Sequence, residues 1–183
     1  MRFAAVLAAL ILFASSLSAT VLLPAEFREI VNGSQIIVYG RITDVRAEWT
    51  DGRRRIESVV TLQAADFYRG TPAERVTFRV PGGQIGRYKS VTVGAPEFRA
   101  GDEVVLFLRA RGPAVPQVFG LNQGVFRVRV DTRTGRRLVT QPILTARAEA
   151  PEPVVRGAAN RQPLPLEQFA TRVRTALRQG GVR

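Results

Sequence analysis

The chain contains neither histidine nor cysteine, and their absence shapes every chemical reading of it. Without them there is no ordinary zinc ligand set, no Cys–His or Ser–His nucleophilic pair, and no haem ligation through either residue. An acid pair for glycoside hydrolysis would have to come from groupings such as Asp44 with Glu48, or Asp102 with Glu103. These fall at turns or strand edges, where carboxylates are simply solvated. Lys89 and Ser90 are adjacent, but neighbours on an extended chain point to opposite faces and cannot form a Ser–Lys pair. Asp131 to Gly135 offers one carboxylate, too few for a dedicated calcium loop. The expectation is a chain that is not an enzyme, with no catalytic residues, no metal and no cofactor.

Binding fits the available residues better. Gly82-Gly83-Gln84-Ile85-Gly86 has the look of a phosphate cradle, but such loops open onto a helix N-terminus. Here the chain runs on through Arg87-Tyr88-Lys89 into an extended segment, so a structural turn is expected. The stretch remains the foremost binding candidate, because long connections without structure of their own are often functional. Its candidate residues are Gly82, Gly83, Gln84, Arg87, Tyr88 and Lys89. A second candidate is Arg53, Arg54 and Arg55, the densest basic cluster, at an expected hairpin tip. Its ordinary role is a solvated turn. Trp49 is the only aromatic near that cluster, which argues against base stacking and against nucleic acid as a partner. The chain has 27 Lys and Arg against 15 Asp and Glu, a formal charge of +12. Lys89 is the only lysine, and the arginines are spread along the whole sequence. The net charge therefore indicates a solvated surface before it indicates an anion site.

The compartment is suggested by the first residues. Met1-Arg2 is followed by an apolar run from Phe3 to Ala14 and by the small residues of Ser15-Ser16-Leu17-Ser18-Ala19. This is the layout of a cleaved secretory signal peptide over residues 1–19. A membrane span needs about 20 apolar residues, and this run is shorter. No cysteine follows it to carry a lipid. The expected mature chain is periplasmic or extracellular, without a transmembrane segment. It has no disulfide to staple it, so its core must hold by itself.

The elements that would position the candidates are mostly strands. Ala25 to Val31 is expected as a short helix, with Phe27, Ile30 and Val31 on one side. Gln35 to Trp49 is a long strand whose apolar phase slips near Thr43-Asp44, the mark of a β-bulge. Asp51-Gly52 turns it into a return strand from Arg55 to about Phe67. Further strands are expected over Val76–Val80, Ser90–Val93, Val104–Leu108, Gln117–Leu121, Val125–Val130 and Leu138–Thr140. Val104–Leu108 is apolar at every position, so both its faces are expected to be covered. Pro165 to Gln179 has a helical apolar stripe of Leu166, Phe169, Ala170, Val173, Ala176 and Leu177. Bent long strands suit a small closed or partly open antiparallel barrel of the OB-like kind. A two-sheet β-sandwich is the alternative. The boundaries are 20–144 for the barrel domain, 145–162 for a linker and 163–183 for a C-terminal amphipathic helix.

One group of motifs resembles a known family. The motifs are Val38-Tyr39-Gly40-Arg41-Ile42 after a short helix, Phe67-Tyr68-Arg69-Gly70, Val80-Pro81-Gly82-Gly83 and Gly94-Ala95-Pro96-Glu97-Phe98. Gly101 to Leu108 and Gln123-Gly124-Val125-Phe126 complete them. Together they resemble an uncharacterised family of exported bacterial domains with an OB-like or netrin-like barrel. Some members of that family are encoded beside matrixin-type secreted metalloproteases. The resemblance implies a fold and carries over no catalytic residue. Netrin-like metalloprotease inhibitors rely on an N-terminal cysteine, which this chain lacks. The expected function is an exported, non-enzymatic binding module for a protein or cell-envelope component. The alternatives are an electrostatic binder of anionic glycans or lipid head groups, and an inhibitor or chaperone of a co-exported protease.

Overall fold

The computed structural model describes residues 24–110, 112, 114–142 and 162–180. The expected signal peptide, 1–19, lies outside the described residues, as does nearly all of the expected linker. In chain order the elements are α1 (Phe27–Asn32), β1 (Ile36–Thr50), β2 (Arg55–Arg69), β3 (Arg75–Pro81), β4 (Gly83–Ile85) and β5 (Tyr88–Ser90). They continue with β6 (Glu103–Arg109), β7 (Gln117–Val118), β8 (Val125–Val130), β9 (Arg137–Thr140), β10 (Leu164–Pro165) and α2 (Leu166–Gly180).

The main sheet runs β1-β2-β3-β7-β6 and then closes on itself, because β1 also pairs with β6. All these pairings are antiparallel except β3 with β7, which is parallel. The result is a closed five-stranded barrel of the OB-like type. β8, β9 and β10 extend the sheet outward from β6. Closure requires β1 to serve two neighbours, and it does so by bending. Its pairing with β2 shifts between Ile37 and Val38, Tyr39 and Gly40, and Ile42 and Asp44. The last shift falls where the apolar phase of the sequence slips. At the second, a side chain on Gly40 would lie 2.1 Å from the Gln63 carbonyl oxygen. Only glycine lets the two backbones come this close.

Two cores follow from strand alternation. Val38, Ile42, Val60, Leu62, Phe78, Val104, Leu106 and Leu108 point inward and fill the barrel. Val105 and Phe107 point the other way, onto a second cluster with Ile30, Phe126, Phe169 and Val173. β6 is therefore apolar from Val104 to Leu108 because both faces are covered there, one by the barrel interior and one by the helices. The stripe of α2 forms the outer layer, with Phe169 and Val173 fully buried. The Phe107, Phe126 and Phe169 rings pack with centroids 4.9–6.4 Å apart. Arg172 lies over the Phe27 ring at 4.6 Å and Arg174 over Tyr68 at 5.5 Å. The helix thus covers the barrel's side and contributes nothing to its interior.

Two expected strands differ. The strand expected over Gln117–Leu121 stops at Val118, because Gly120 and Leu121 have φ of 53° and 59° and lead into a 3-10 turn. The strand expected over Ser90–Val93 lies instead at Tyr88–Ser90, paired with Gly83–Ile85. Val91 and Val93 are left 73% and 93% exposed.

Candidate functional site

The two basic candidates, some thirty positions apart in sequence, meet at one end of the molecule. β1 pairs with β6 only over Ile36–Arg41, and β2 pairs with β3 only as far as Glu57. Beyond Arg41, β1 and β2 run on together as an arm, flanked by β3 as far as Glu57 and two-stranded only over the Trp49–Ile56 and Thr50–Arg55 pairs. Its tip is Asp51-Gly52-Arg53-Arg54, with Asp51, Gly52 and Arg53 all at positive φ. Arg53, Arg54 and Arg55 are exposed there.

The β4–β5 hairpin folds back onto this arm. Gly83 serves that packing, and Gly86 sits at positive φ in the hairpin turn. A side chain on Gly83 would meet Ser58 Oγ at 2.9 Å and both Ala47 Cβ and Ile56 Cγ2 at 3.2 Å. Gly82 and Gly83 also have φ of 96° and 147°, a conformation that favours glycine. The Ser58 hydroxyl donates to the Gly82 carbonyl at 2.9 Å, which fixes the start of the hairpin. At its far end Tyr88 packs edge-on against Trp49, with centroids 5.5 Å apart. The Arg87 guanidinium lies 5.1 Å from the Tyr88 ring centroid and donates to the Tyr88 hydroxyl at 3.1 Å. Trp49 is thus half-buried under Tyr88, and the more exposed aromatic at this end is Tyr88, at 51%.

Two acids of the arm are already engaged, while Asp44 is exposed and forms no ion pair among the described residues. Glu48 pairs with Arg79 at 3.0 Å and with Arg46 at 3.3 Å, and Glu57 pairs with Arg79 at 3.6 Å. Among the described residues, Arg53, Arg54, Arg55, Arg87 and Lys89 form no ion pair. Asp51 is the one carboxylate in the tip itself.

Beside the hairpin, at the barrel mouth, lies a cleft of about 300 Å³. Val60, Val80 and Phe98 give it apolar walls, and Gln84, Lys89, Thr92, Glu97 and Arg99 give it polar and charged ones. Gly82 and Gly83 also line it. The structure therefore places all nine sequence candidates on the arm and the adjoining hairpin. Sequence reasoning missed Val45, Val91, Thr92 and Phe98, which complete the cleft. The available signal was Val91 and Val93 alternating ahead of Gly94-Ala95-Pro96 with no matching apolar run to pair with.

Asp102, Glu103 and Asp131 are held elsewhere by bonds of their own, whereas Asp44 and Glu48 lie on the arm and do not bond to one another. Glu103 accepts from the Tyr39 hydroxyl at 2.9 Å, from Arg41 at 2.6 Å and from Arg137 at 3.3 Å. Burial alone would push its carboxyl up, but those bonds outweigh it and hold the group below its ordinary value. Asp102 accepts from Arg127 and from the Arg99 backbone, both at 3.0 Å. Asp131 accepts from the Arg133 backbone and the Thr134 hydroxyl, both at 2.9 Å, within its own hairpin turn. The backbone bond from Arg133, followed by the Thr134 hydroxyl, lowers its pKa. Among the described residues no three His, Cys, Asp or Glu side chains group so as to hold a metal ion. No helix among them is long and apolar enough to cross a membrane.

No protein-family profile, curated protein or solved structure matches the chain.

Proposed function

We propose that this chain is an exported, non-enzymatic binding module, and that its partner is an anionic component of the cell envelope. One observation carries the reading. Two separate basic segments are brought to a single end by the Trp49–Tyr88 contact, and their five cations have no ion pair among the described residues. Elsewhere Arg41, Arg79, Arg127, Arg137 and Arg174 each meet a carboxylate, while others such as Arg75, Arg129 and Arg136 also form no ion pair among the described residues. What marks the arm end is that five unpaired cations belong to two segments joined there. Cations collected without counter-charges form a surface complementary to an anion. The signal-like N-terminus supports an envelope setting. The rigid hairpin supports a preformed contact surface, which lowers the ordering cost of binding.

Retention on immobilised heparin, a soluble polyanion, tests the reading. Wild-type protein is expected to elute at progressively lower yield of binding as NaCl rises, because exposed charges are screened. The triple variant R53Q/R54Q/R55Q is expected to lose most of its retention. Retention that ignores salt, or that survives the triple substitution unchanged, contradicts the proposal.

A further inference from the structure

Tyr88, Val91 and Val93 do something the charges do not explain. Six large hydrophobic side chains stand exposed among the described residues, namely Val45, Tyr88, Val91, Val93, Val115 and Val130. Four of the six lie on or beside the cleft and hairpin: Val45 and Val91 line the cleft at the barrel mouth, Tyr88 sits on Trp49, and Val93 follows Val91 in the loop that runs on to Gly94, which is tied to Asn122. Val91 and Val93 are the most exposed of all. The segment that carries them is held at both ends. On one side Ser90 pairs with Gly83 in the hairpin ladder. On the other, the Ala95 backbone N–H donates to the Thr92 carbonyl and that of Asn122 to the Gly94 carbonyl, both at 3.1 Å. A loop held at both ends presents apolar side chains to water, following directly on the hairpin that carries Arg87 and Lys89, and Val91 lines the same cleft as Lys89.

We infer that the arm end docks on the surface of an anionic lipid bilayer, with Tyr88, Val91 and Val93 at the headgroup boundary and Arg53, Arg54, Arg55, Arg87 and Lys89 against lipid phosphates. The inference rests on the anionic-partner reading above and narrows its partner to a membrane. A soluble polyanion engages the cations and leaves the valines in water. A bilayer uses both, since peripheral docking combines buried apolar area with attraction to anionic lipids. Tyrosine suits the interface, with an apolar ring and a polar tip. Basic residues near an anionic membrane each strengthen binding about fivefold, and the effect falls off within a Debye length. Charge alone therefore makes the contact salt-sensitive, whereas the valines add a part that salt does not remove.

Flotation with vesicles, run on the full chain, tests this. Vesicles of equal parts phosphatidylglycerol and phosphatidylcholine are compared with phosphatidylcholine alone. All variants share one N-terminus, so the neutral vesicles report any contribution of the apolar Phe3–Ala14 run. The wild type is expected to partition more strongly to the anionic vesicles. V91S/V93S is expected to reduce that partition roughly tenfold while leaving heparin retention unchanged. R53Q/R54Q/R55Q is expected to reduce it roughly 100-fold and to reduce heparin retention as well. Trp49, the only tryptophan, gives a readout on the unmodified protein. Its fluorescence is expected to be quenched by brominated lipid in the anionic vesicles. Unquenched Trp49 in vesicle-bound protein overturns the inference, as does V91S/V93S partition equal to wild type with heparin binding intact. Those results leave the anionic-partner reading standing, with a soluble polymer as the partner. Failure of the wild type to bind either heparin or vesicles overturns both.

Discussion

Glu103 shows how much one side chain can organise without doing chemistry. It lies on β6 and takes bonds from Tyr39 and Arg41 on β1 and from Arg137 on β9, so a single carboxylate ties three strands together. Its side chain is only 14% exposed, so water compensates poorly when its partners are lost. E103Q keeps an oxygen acceptor but removes the charge, and is expected to cost about 1 kcal/mol at neutral pH. The pH dependence follows from the direction of the shift. A carboxyl held below its ordinary 4.5 in the folded state binds its proton more readily when unfolded. Its contribution is full above that value and is lost as pH falls through the lower, folded value. Urea unfolding of the wild type is therefore expected to weaken more steeply below pH 4.5 than that of E103Q. Parallel curves would show that Glu103 does not supply this dependence. Gly40 makes the matching case for the backbone. G40A places a methyl group 2.1 Å from the Gln63 carbonyl oxygen, and is expected to cost about 1–3 kcal/mol, read as a lower urea midpoint.

At the scale of elements, runs that alternate or are apolar throughout were legible even when short. β3 and β8 lie where Val76–Val80 and Val125–Val130 alternate, and β9 lies over Leu138–Thr140, whereas the runs beside Gly82–Gly86 and Gly120 were not legible. The slip in β1 was visible because Val38, Gly40 and Ile42 share one parity and Val45, Ala47 and Trp49 the other, and the pairing shifts where the parity changes. β6 was visible because a run apolar at every position needs cover on both faces, and barrel and helices provide it. β5 was misplaced because Val91 and Val93 look like a buried strand face, while the hydrogen bonds go to the less apolar Tyr88–Ser90 opposite Gly83–Ile85. In so short a hairpin, turn geometry and glycine packing decide the register, and hydropathy does not. β10 escaped notice because Leu164 and Pro165 pair with β9 just ahead of the helix, a tertiary contact with no local pattern. The joining of Arg53–Arg55 to Arg87–Lys89 could not be read from sequence at all, since it depends on a fold-back across thirty positions. The best-patterned element carries the clearest prediction. F169A removes a fully buried ring that touches Phe107, Phe126 and Phe27. It is expected to cost about 3–5 kcal/mol, seen as a large drop in the unfolding midpoint. A drop under about 1 kcal/mol, the ordinary range for a surface site, would mean that α2 does not hold its place on the barrel in solution.

The whole molecule uses its cations in more than one way. Some around the barrel, such as Arg41, Arg127 and Arg137, meet carboxylates and stitch strands and loops together. The five at the arm end meet none among the described residues, with Asp51 the only acid in the tip. A formal charge of +12 makes self-repulsion a real opponent of the folded state, and repulsion is strongest where counter-charges are missing. With no cysteine, no disulfide offsets it. Salt acts oppositely on the two groups. It weakens ion pairs around the barrel, and it relieves the repulsion at the arm, since charges spaced by more than about 8–10 Å are largely screened near physiological ionic strength. The carboxylates of the barrel pairs are partly buried and such pairs are screened less, so the arm is expected to decide the sign. The urea midpoint of the wild type is expected to rise between low and moderate NaCl. R53Q/R54Q/R55Q is expected to start higher at low salt and to gain less, because the repulsion that salt relieves is already gone. If instead both proteins lose stability to the same extent with added salt, the ion pairs of the barrel govern, and the arm's cations impose no cost on the fold that binding an anion could relieve.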